Sequence, residues 1–145
     1  MNATAGWPPI ETERLLLRRH SMDDLEHLVR LNTDPAVLRY LDAKIPTSNE
    51  IESQLRHAID HYGDDPAPGR LTALLREGRT FVGRFSLDSH PTGRTLSLGY
   101  RLVPACWGQG LATEGARALI EYGFGVLGTD RIRAQTMFVN AGHAG

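Results

Sequence analysis

The sequence predicts a single α/β domain of the α+β type, with a mixed, mostly antiparallel sheet flanked by helices. Its 145 residues suffice for one domain with a substantial hydrophobic core. Three short apolar runs between residues 71 and 103 are separated by turn-forming residues, which is typical of an antiparallel meander. The last run leads through a glycine-rich loop into a helix and a further strand, and this order indicates a βαβ-like unit.

Periodicity and end signals predict the individual elements. Ser21 is a suitable N-cap for the first helix, which the Asp34-Pro35 pair ends, and Ser48 is a suitable N-cap for a later helix. In chain order, we expect a strand over 12–18, a helix over 21–34, a helical turn over 36–41, a helix over 48–59, a loop over 63–69, strands over 71–76, 80–87 and 94–103, a helix over 113–127 and a strand over 131–140. The last helix is predicted to bury Ala112, Ala116, Leu119, Ile120 and Phe124.

Composition excludes several broad classes of protein. The chain is 41% hydrophobic and 23% charged, which is ordinary for a globular domain and argues against a disordered or membrane-spanning chain. A net charge of −1 does not indicate a nucleic-acid-binding surface. Residues 1–9 do not resemble a secretory signal, so a cytoplasmic location is expected. Cys106 is the single cysteine, which excludes an internal disulfide and a multi-thiolate metal site.

The two halves of the chain differ in charge. Residues 21–62 hold eight carboxylates and four basic side chains, whereas residues 94–145 hold five arginines and three carboxylates. This asymmetry suits a cationic substrate on one side and an anionic ligand on the other. The alternative is that these charges belong to ordinary solvated helix faces.

The stretch from Leu98 to Glu114 has the most informative pattern in the chain. A predicted strand runs into Gly108-Gln109-Gly110-Leu111-Ala112 and then opens a helix. Unpaired backbone N–H groups at such a junction can hold a diphosphate, because small residues let it approach and the helix dipole favours its charge. The lysine of a mononucleotide-binding loop is absent, and Thr113 stands where a dinucleotide fingerprint has its third glycine. A purely structural tight turn is the alternative.

The chain resembles the GNAT superfamily of N-acetyltransferases, in particular the branch that includes the ribosomal-protein-alanine N-acetyltransferases. The segment 11–18 (ETERLLLR) is similar to the first strand of that branch, and 34–41 (DPAVLRYL) to the stretch after its first helix. The segments 99–102 (GYRL) and 107–114 (WGQGLATE) match its acetyl-CoA motif. The resemblance extends from about residue 11 to residue 140.

The resemblance implies a set of residues that bind acetyl-CoA as co-substrate. Backbone N–H groups of the loop would bind the pyrophosphate, and Leu102 and Val103 would pair with the pantetheine amides between two splayed strands. The N–H of Leu102 would polarise the thioester carbonyl. The implied cofactor-binding residues are Leu102, Val103, Trp107, Gly108, Gln109, Gly110, Leu111, Ala112, Thr113 and Asn140.

The implied reaction is direct attack of a neutral amine on the thioester, which requires removal of an ammonium proton. The branch often has a glutamate at the position of Ser97, and we expect Ser97 to orient a water that relays the proton. Asp88, His90 and Glu13 are further candidates for the base, each with a turn or surface role as the alternative. The acceptor is expected against the acidic helices and the loop 41–49.

The family continues beyond Asn140 with a helix and two strands, and this chain ends at Gly145. We therefore expect a shortened domain, residues 1–145, with reduced or absent turnover and an exposed last strand through which it dimerises. The predicted function is acetyl transfer from acetyl-CoA to a small primary amine or a peptide N-terminus in a ternary complex. A non-catalytic acyl-CoA-binding module or partner subunit is the alternative. Metal, nucleic acid and membrane are not expected to take part.

Overall fold

The computed structural model describes residues 7–39, 44–64, 66–89 and 95–136. Six strands form one sheet in the order β1-β2-β3-β4-β5-β6, and only the pair β5–β6 is parallel. This arrangement confirms the predicted mixed, mostly antiparallel sheet. The strands are β1 (Ile10–Glu11), β2 (Leu15–Arg19), β3 (Gly69–Leu75), β4 (Phe81–Ser89), β5 (Thr95–Leu102) and β6 (Arg131–Thr136).

Helices cover both faces of the sheet. The helices α1 (Leu25–Thr33), α2 (Pro35–Leu38) and α3 (Ser48–Asp60) lie on one face, and α4 (Leu111–Gly125) packs on the other. Each forms near its predicted position. The short strand β1 was not predicted, because two residues carry too little periodicity to be recognised.

The helix starts follow from side-chain caps, with two differences from prediction. Ser21 caps a short 3₁₀ turn ahead of α1, and the carboxylate of Asp24 accepts from the Ser21 N–H to complete a capping box. Thr47 rather than Ser48 caps α3, because the Thr47 hydroxyl accepts from the Glu50 N–H while the Glu50 carboxylate accepts from the Thr47 N–H. Sequence alone does not distinguish two adjacent hydroxyl residues as caps.

The face by which α4 packs on the sheet was predicted only in part. Leu119 is buried and Ala112 and Ala116 pack against the core as predicted, whereas Ile120 and Phe124 are exposed. The buried residues follow an i, i+4 stripe: Leu111, Gly115, Leu119 and Gly123. A Cβ on Gly115 would lie 2.4 Å from the ring of Phe85, so the helix approaches β4 more closely than any larger residue permits. The missing side chain therefore decides which side of α4 faces the core.

The pair β5–β6 places the glycine loop beside a parallel strand. The two strands are in register from Thr95–Arg131 to Tyr100–Thr136. The predicted splay beyond this point involves residues 137–140, which lie outside the described residues. Among the residues that the structure describes, no helix is long and apolar enough to cross a membrane.

Candidate functional site

The glycine loop after β5 contains two residues in the left-handed backbone conformation. A 3₁₀ turn over Pro104–Cys106 follows the strand, and Gly108 and Gly110 then adopt positive φ angles of 73° and 78°. Residues with a Cβ rarely adopt such backbone φ angles, which is why glycine occupies both positions. The added Cβ of Gly108 would meet nothing within 4 Å, so this side of the loop is open to a ligand.

The loop leads directly into the N-terminus of α4, whose first turn has no side-chain cap. Gly110 is the N-cap, and the first bond of the helix runs from the Glu114 N–H to the Gly110 carbonyl. The N–H groups of Leu111, Ala112 and Thr113 consequently have no acceptor within the helix. Their partial positive charge, added to the helix dipole, favours an anion at this point.

Two loop side chains brace the loop. The indole Nε1–H of Trp107 donates to the Leu102 carbonyl at 2.9 Å, and the Gln109 side-chain amide donates to the Ala105 carbonyl at 2.8 Å. The Trp107 bond ties the loop to the last residue of β5, and the Gln109 bond ties it to the 3₁₀ turn over Pro104–Cys106. The structure thus gives Trp107 and Gln109 positioning contacts, which leave the backbone groups to face the ligand.

A contact that the sequence did not predict joins the loop to the start of β2. The Arg14 guanidinium donates to the Glu114 carboxylate at 2.7 Å and to the Gln109 carbonyl at 3.0 Å. The Thr12 hydroxyl and the Arg14 N–H also donate to the Glu114 carboxylate. Burial by itself raises the pKa of Glu114, but these hydrogen bonds and the Arg14 charge bring it below its ordinary value.

The backbones of Leu102 and Val103 point to opposite edges of β5. The Val103 N–H donates to the Val82 carbonyl of β4 at 2.9 Å, so it is engaged within the sheet. Because successive residues of a strand direct their N–H groups to alternate sides, the Leu102 N–H points toward the edge of β6. Described pairing with β6 ends at Tyr100, two residues earlier. The Leu102 N–H thus points away from β4, beyond the described end of the β5–β6 pairing.

Ser97 lies on the face of β5 that also carries Arg101, directly opposite Asp88 of β4. Asp88 lies within β4 and is partly buried. The sequence had offered a turn or surface role as the alternative to its role as a base, and the structure does not place Asp88 in a turn. Glu13 is exposed in the turn before β2, remote from Ser97 in the sheet order. His90 and Asn140 lie outside the described residues.

Cys106 is buried, and burial raises the pKa of its thiol.

A buried polar cluster joins β2, α1 and β3. Arg18 donates to both carboxylate oxygens of Asp24, at 2.8 and 2.9 Å. The Thr72 hydroxyl donates to Asp24 at 2.9 Å, and its oxygen accepts from His20 Nδ1 at 2.6 Å, because a carboxylate can only accept. Burial lowers the pKa of His20 to about 3, so the ring is neutral at pH 7.

A cavity of about 340 Å³ lies between α1, α3 and the sheet. Its sheet side carries Arg70, Arg84 and Arg101, and Lys44 stands at its loop side. This charge differs from the expectation of an acidic acceptor site. The helix carboxylates Glu26 and Glu52 pair instead with arginines on the outer helix surfaces, which agrees with the alternative of solvated helix faces.

In the described part of the chain, no group of three or more His, Cys, Asp or Glu residues could hold a metal ion.

Comparison with known proteins identifies the family. The model of the acetyltransferase (GNAT) domain matches residues 14–144. The N-acetyltransferase p20 of Bacillus licheniformis is 33% identical over 129 residues, which are 86% of this chain and 70% of the relative. The match confirms the resemblance in sequence and the expectation of an acetyl-CoA-dependent acyltransferase.

Solved structures agree on the fold. An acetyltransferase of the GNAT family from Bacillus anthracis superposes with a TM-score of 0.76 at 23% identity, over 87% of this chain and 72% of that one. A spermidine N-acetyltransferase from Vibrio cholerae, in complex with CoA and spermine, gives 0.69 at 19% identity, over 85% and 71%. A ribosomal-protein-S5-alanine acetyltransferase from Vibrio fischeri gives 0.71 at 14%, over 87% and 72%. These likenesses concern the fold, and the family is shown by the domain match over residues 14–144 together with the 33% identical relative: the chain belongs to the GNAT family of acetyltransferases.

Proposed function

We propose that this domain transfers an acetyl group from acetyl-CoA to a primary amine by direct attack in a ternary complex. The observation that supports it best is the junction of β5 and α4. There, two glycines at positive φ lead into a helix whose first turn has no side-chain cap. A backbone of this shape suits the pyrophosphate of a coenzyme A substrate, and the family match supplies the reaction class.

Each segment of the site has a distinct part in binding the co-substrate. The N–H groups from Gly108 to Thr113 hold the pyrophosphate, while Trp107 and Gln109 hold the loop against the end of β5 and the 3₁₀ turn that follows it. Leu102 offers its N–H to the thioester oxygen, on which negative charge develops as the amine attacks. Asn140, outside the described residues, stays a prediction as a pantetheine contact.

The reaction requires that the amine be neutral when it attacks. Its nitrogen forms a bond to the thioester carbon, the carbon–sulfur bond breaks, and the thiolate leaves with the electron pair and takes up a proton. We propose that a water held by Ser97 accepts the ammonium proton and passes it to the carboxylate of Asp88, which stands directly opposite Ser97 on β4. A serine alone is too weak a base for this step, which is why a water and a carboxylate are invoked.

Calorimetric titration of acetyl-CoA tests the cradle. We expect micromolar binding that is lost in Gly110→Asp, because the added carboxylate repels the diphosphate. Gly78→Asp is the matched control, since Gly78 has the same backbone conformation, at φ 82°, in the turn between β3 and β4. Equal binding by the wild type and Gly110→Asp would overturn the assignment of the loop.

Turnover is then measured as thiol release over a panel of primary amines. Acetylation of any of them supports the proposed reaction. Saturable acetyl-CoA binding without turnover on any amine would instead favour a non-catalytic acyl-CoA-binding module, the alternative to which the serine at position 97 points.

A further inference from the structure

The cavity between α1, α3 and the sheet has a strongly positive lining. Arg70, Arg84 and Arg101 come from three adjacent strands, and Lys44 comes from the segment before α3. Its remaining described lining residues are His20, Leu28, Asn32, Leu38, Pro46, Ile51, Gln54 and Leu55. None of the described lining residues is a carboxylate, and His20 is neutral at pH 7.

Strand register brings the arginines together. Arg84 of β4 stands directly opposite Arg101 of β5 and, on its other side, opposite Thr72 of β3. Neighbouring strands are about 4.8 Å apart, so the two guanidinium groups share one small region. Like charges directly opposite each other in a sheet are destabilising. Such a pair in a partly buried place is expected where a bound anion offsets the repulsion.

The nearby carboxylates do not offset this charge within the cavity. Asp24 is bound by both terminal nitrogens of Arg18. Burial and the charges of Arg101 and Arg70 lower the pKa of Arg84 to about 9. The negative charge of Asp88 raises that pKa by a smaller amount. Arg84 thus remains charged at neutral pH.

Arg101, which lines the cavity, has unused hydrogen-bonding capacity. Its Nη1 donates to the side-chain carbonyl of Asn32 in α1, which orients the guanidinium. Its Nε is buried and has no hydrogen-bond partner among the described residues. A buried N–H without an acceptor costs free energy unless a ligand supplies one. A carboxylate or phosphate would satisfy it, since a guanidinium binds either group through two parallel bonds.

The geometry points to an acceptor pocket for a small primary amine that carries a carboxylate or a phosphate, with the anionic group held by Arg84, Arg101 and Arg70. The inference rests on the proposed function, because it identifies the substrate class of that reaction. Arg101 and Ser97 lie on the same face of β5, four residues apart, so the pocket and the proposed site of proton removal share that face of the sheet. A volume of about 340 Å³ fits a small molecule. The lining repels polyamines through their like charge.

Binding to the CoA-saturated protein tests this inference, because CoA then occupies the loop and an added anionic amine cannot bind there. The probes are two pairs that differ in one anionic group: β-alanine with β-alaninamide, and 2-aminoethyl phosphate with ethanolamine. In at least one pair we expect the anionic amine to bind ten or more times more tightly than its partner. Which pair shows the larger ratio distinguishes a carboxylate from a phosphate.

Substitution of the arginines assigns the effect to the cavity. Arg84→Gln and Arg101→Gln are expected to reduce the ratio below threefold, and Arg70→Gln to reduce it as well. Arg70 is exposed, so its variant keeps the test valid if the other two do not fold. Arg56→Gln on the outer surface of α3 is the control of equal charge, and it should retain the full ratio.

The outcomes separate this inference from the proposed function. If acetyl-CoA does not bind, or if no amine of any charge is acetylated, the proposed function fails. If acetyl-CoA binds normally but both members of each pair bind equally or not at all, the anionic acceptor pocket is wrong and the reaction class stands. If the anionic amine still binds ten or more times more tightly than its partner in all three arginine variants, the assignment of the pocket is likewise wrong.

Discussion

Arg14 and Glu114, one hundred residues apart in the chain, form an ion pair of 2.7 Å that ties the start of β2 to the first turn of α4. Arg14 also donates to the Gln109 carbonyl, so a single guanidinium contacts both the helix and the glycine loop. The carboxylate of Glu114 accepts hydrogen bonds from Thr12 and Arg14, and the Arg14 guanidinium balances its negative charge. A carboxylate in the first turn of α4 therefore does not compete with an anion at the helix N-terminus.

Replacement of Glu114 by glutamine should loosen this connection. The glutamine amide cannot accept from all three donors, and we expect a loss of about 1–2 kcal/mol in the free energy of unfolding, given that Arg14 is half exposed. The KM for acetyl-CoA should rise as the loop loses its support. Urea unfolding and initial rates check both effects. Glu121→Gln, on the exposed side of α4, should change neither, and an unchanged KM in Glu114→Gln would argue that Arg14 does not position the loop.

Trp107→Phe keeps an aromatic ring but removes the donor to the Leu102 carbonyl. The loss of one hydrogen bond of about 0.5–1.5 kcal/mol should raise the KM for acetyl-CoA roughly twofold to tenfold. Trp7→Phe is the control, because Trp7 packs on Arg19 and Tyr122, apart from the loop. A rise in KM of the same size in both variants would mean that general destabilisation, rather than the loop contact, is responsible.

Gly115→Ala should destabilise the protein although alanine is the better helix former. The added methyl overlaps the Phe85 ring, and the overpacking cost exceeds the gain in helix propensity, so we expect a net loss of about 1–2 kcal/mol. Gly125→Ala is matched to it, since the same helix offers open space there. That variant should be neutral or slightly stabilised. Chemical denaturation of both proteins gives the comparison, and equal stabilities would contradict the close packing of α4.

Acid should weaken the fold through His20. Because burial lowers the pKa of His20 to about 3, the unfolded chain binds a proton below about pH 6.5 that the folded protein does not. Stability is therefore complete above that pH and falls as the pH drops toward 3, by up to about 1.4 kcal/mol per pH unit. His20→Asn, which retains a donor toward Thr72, should flatten this slope. His57→Asn, on the exposed side of α3, should leave the slope unchanged.

Much of the candidate site could be predicted because its signals are local. Glycines separated by one residue between a strand and a helix indicate the loop 108–113 wherever the rest of the chain lies. The signal for the cationic cavity was also present, as Arg84 and Arg101 within two consecutive predicted strands and Arg70 immediately before the strand that precedes them. It could not be interpreted without knowing which face each side chain takes, and one shift in register would have separated Arg84 from Arg101.

The sequence by itself determined the order of the helices and of all strands but β1, the start of α4 to within two residues, and the position of the glycine loop between β5 and α4. These features depend on neighbours within a few residues, through capping, periodicity and backbone freedom. Only the tertiary structure decided that α4 buries its glycine stripe, that Arg14 braces Glu114, and that three arginines line one cavity. Those relationships join residues far apart in the chain, and they follow from strand register and close packing, which local patterns do not specify.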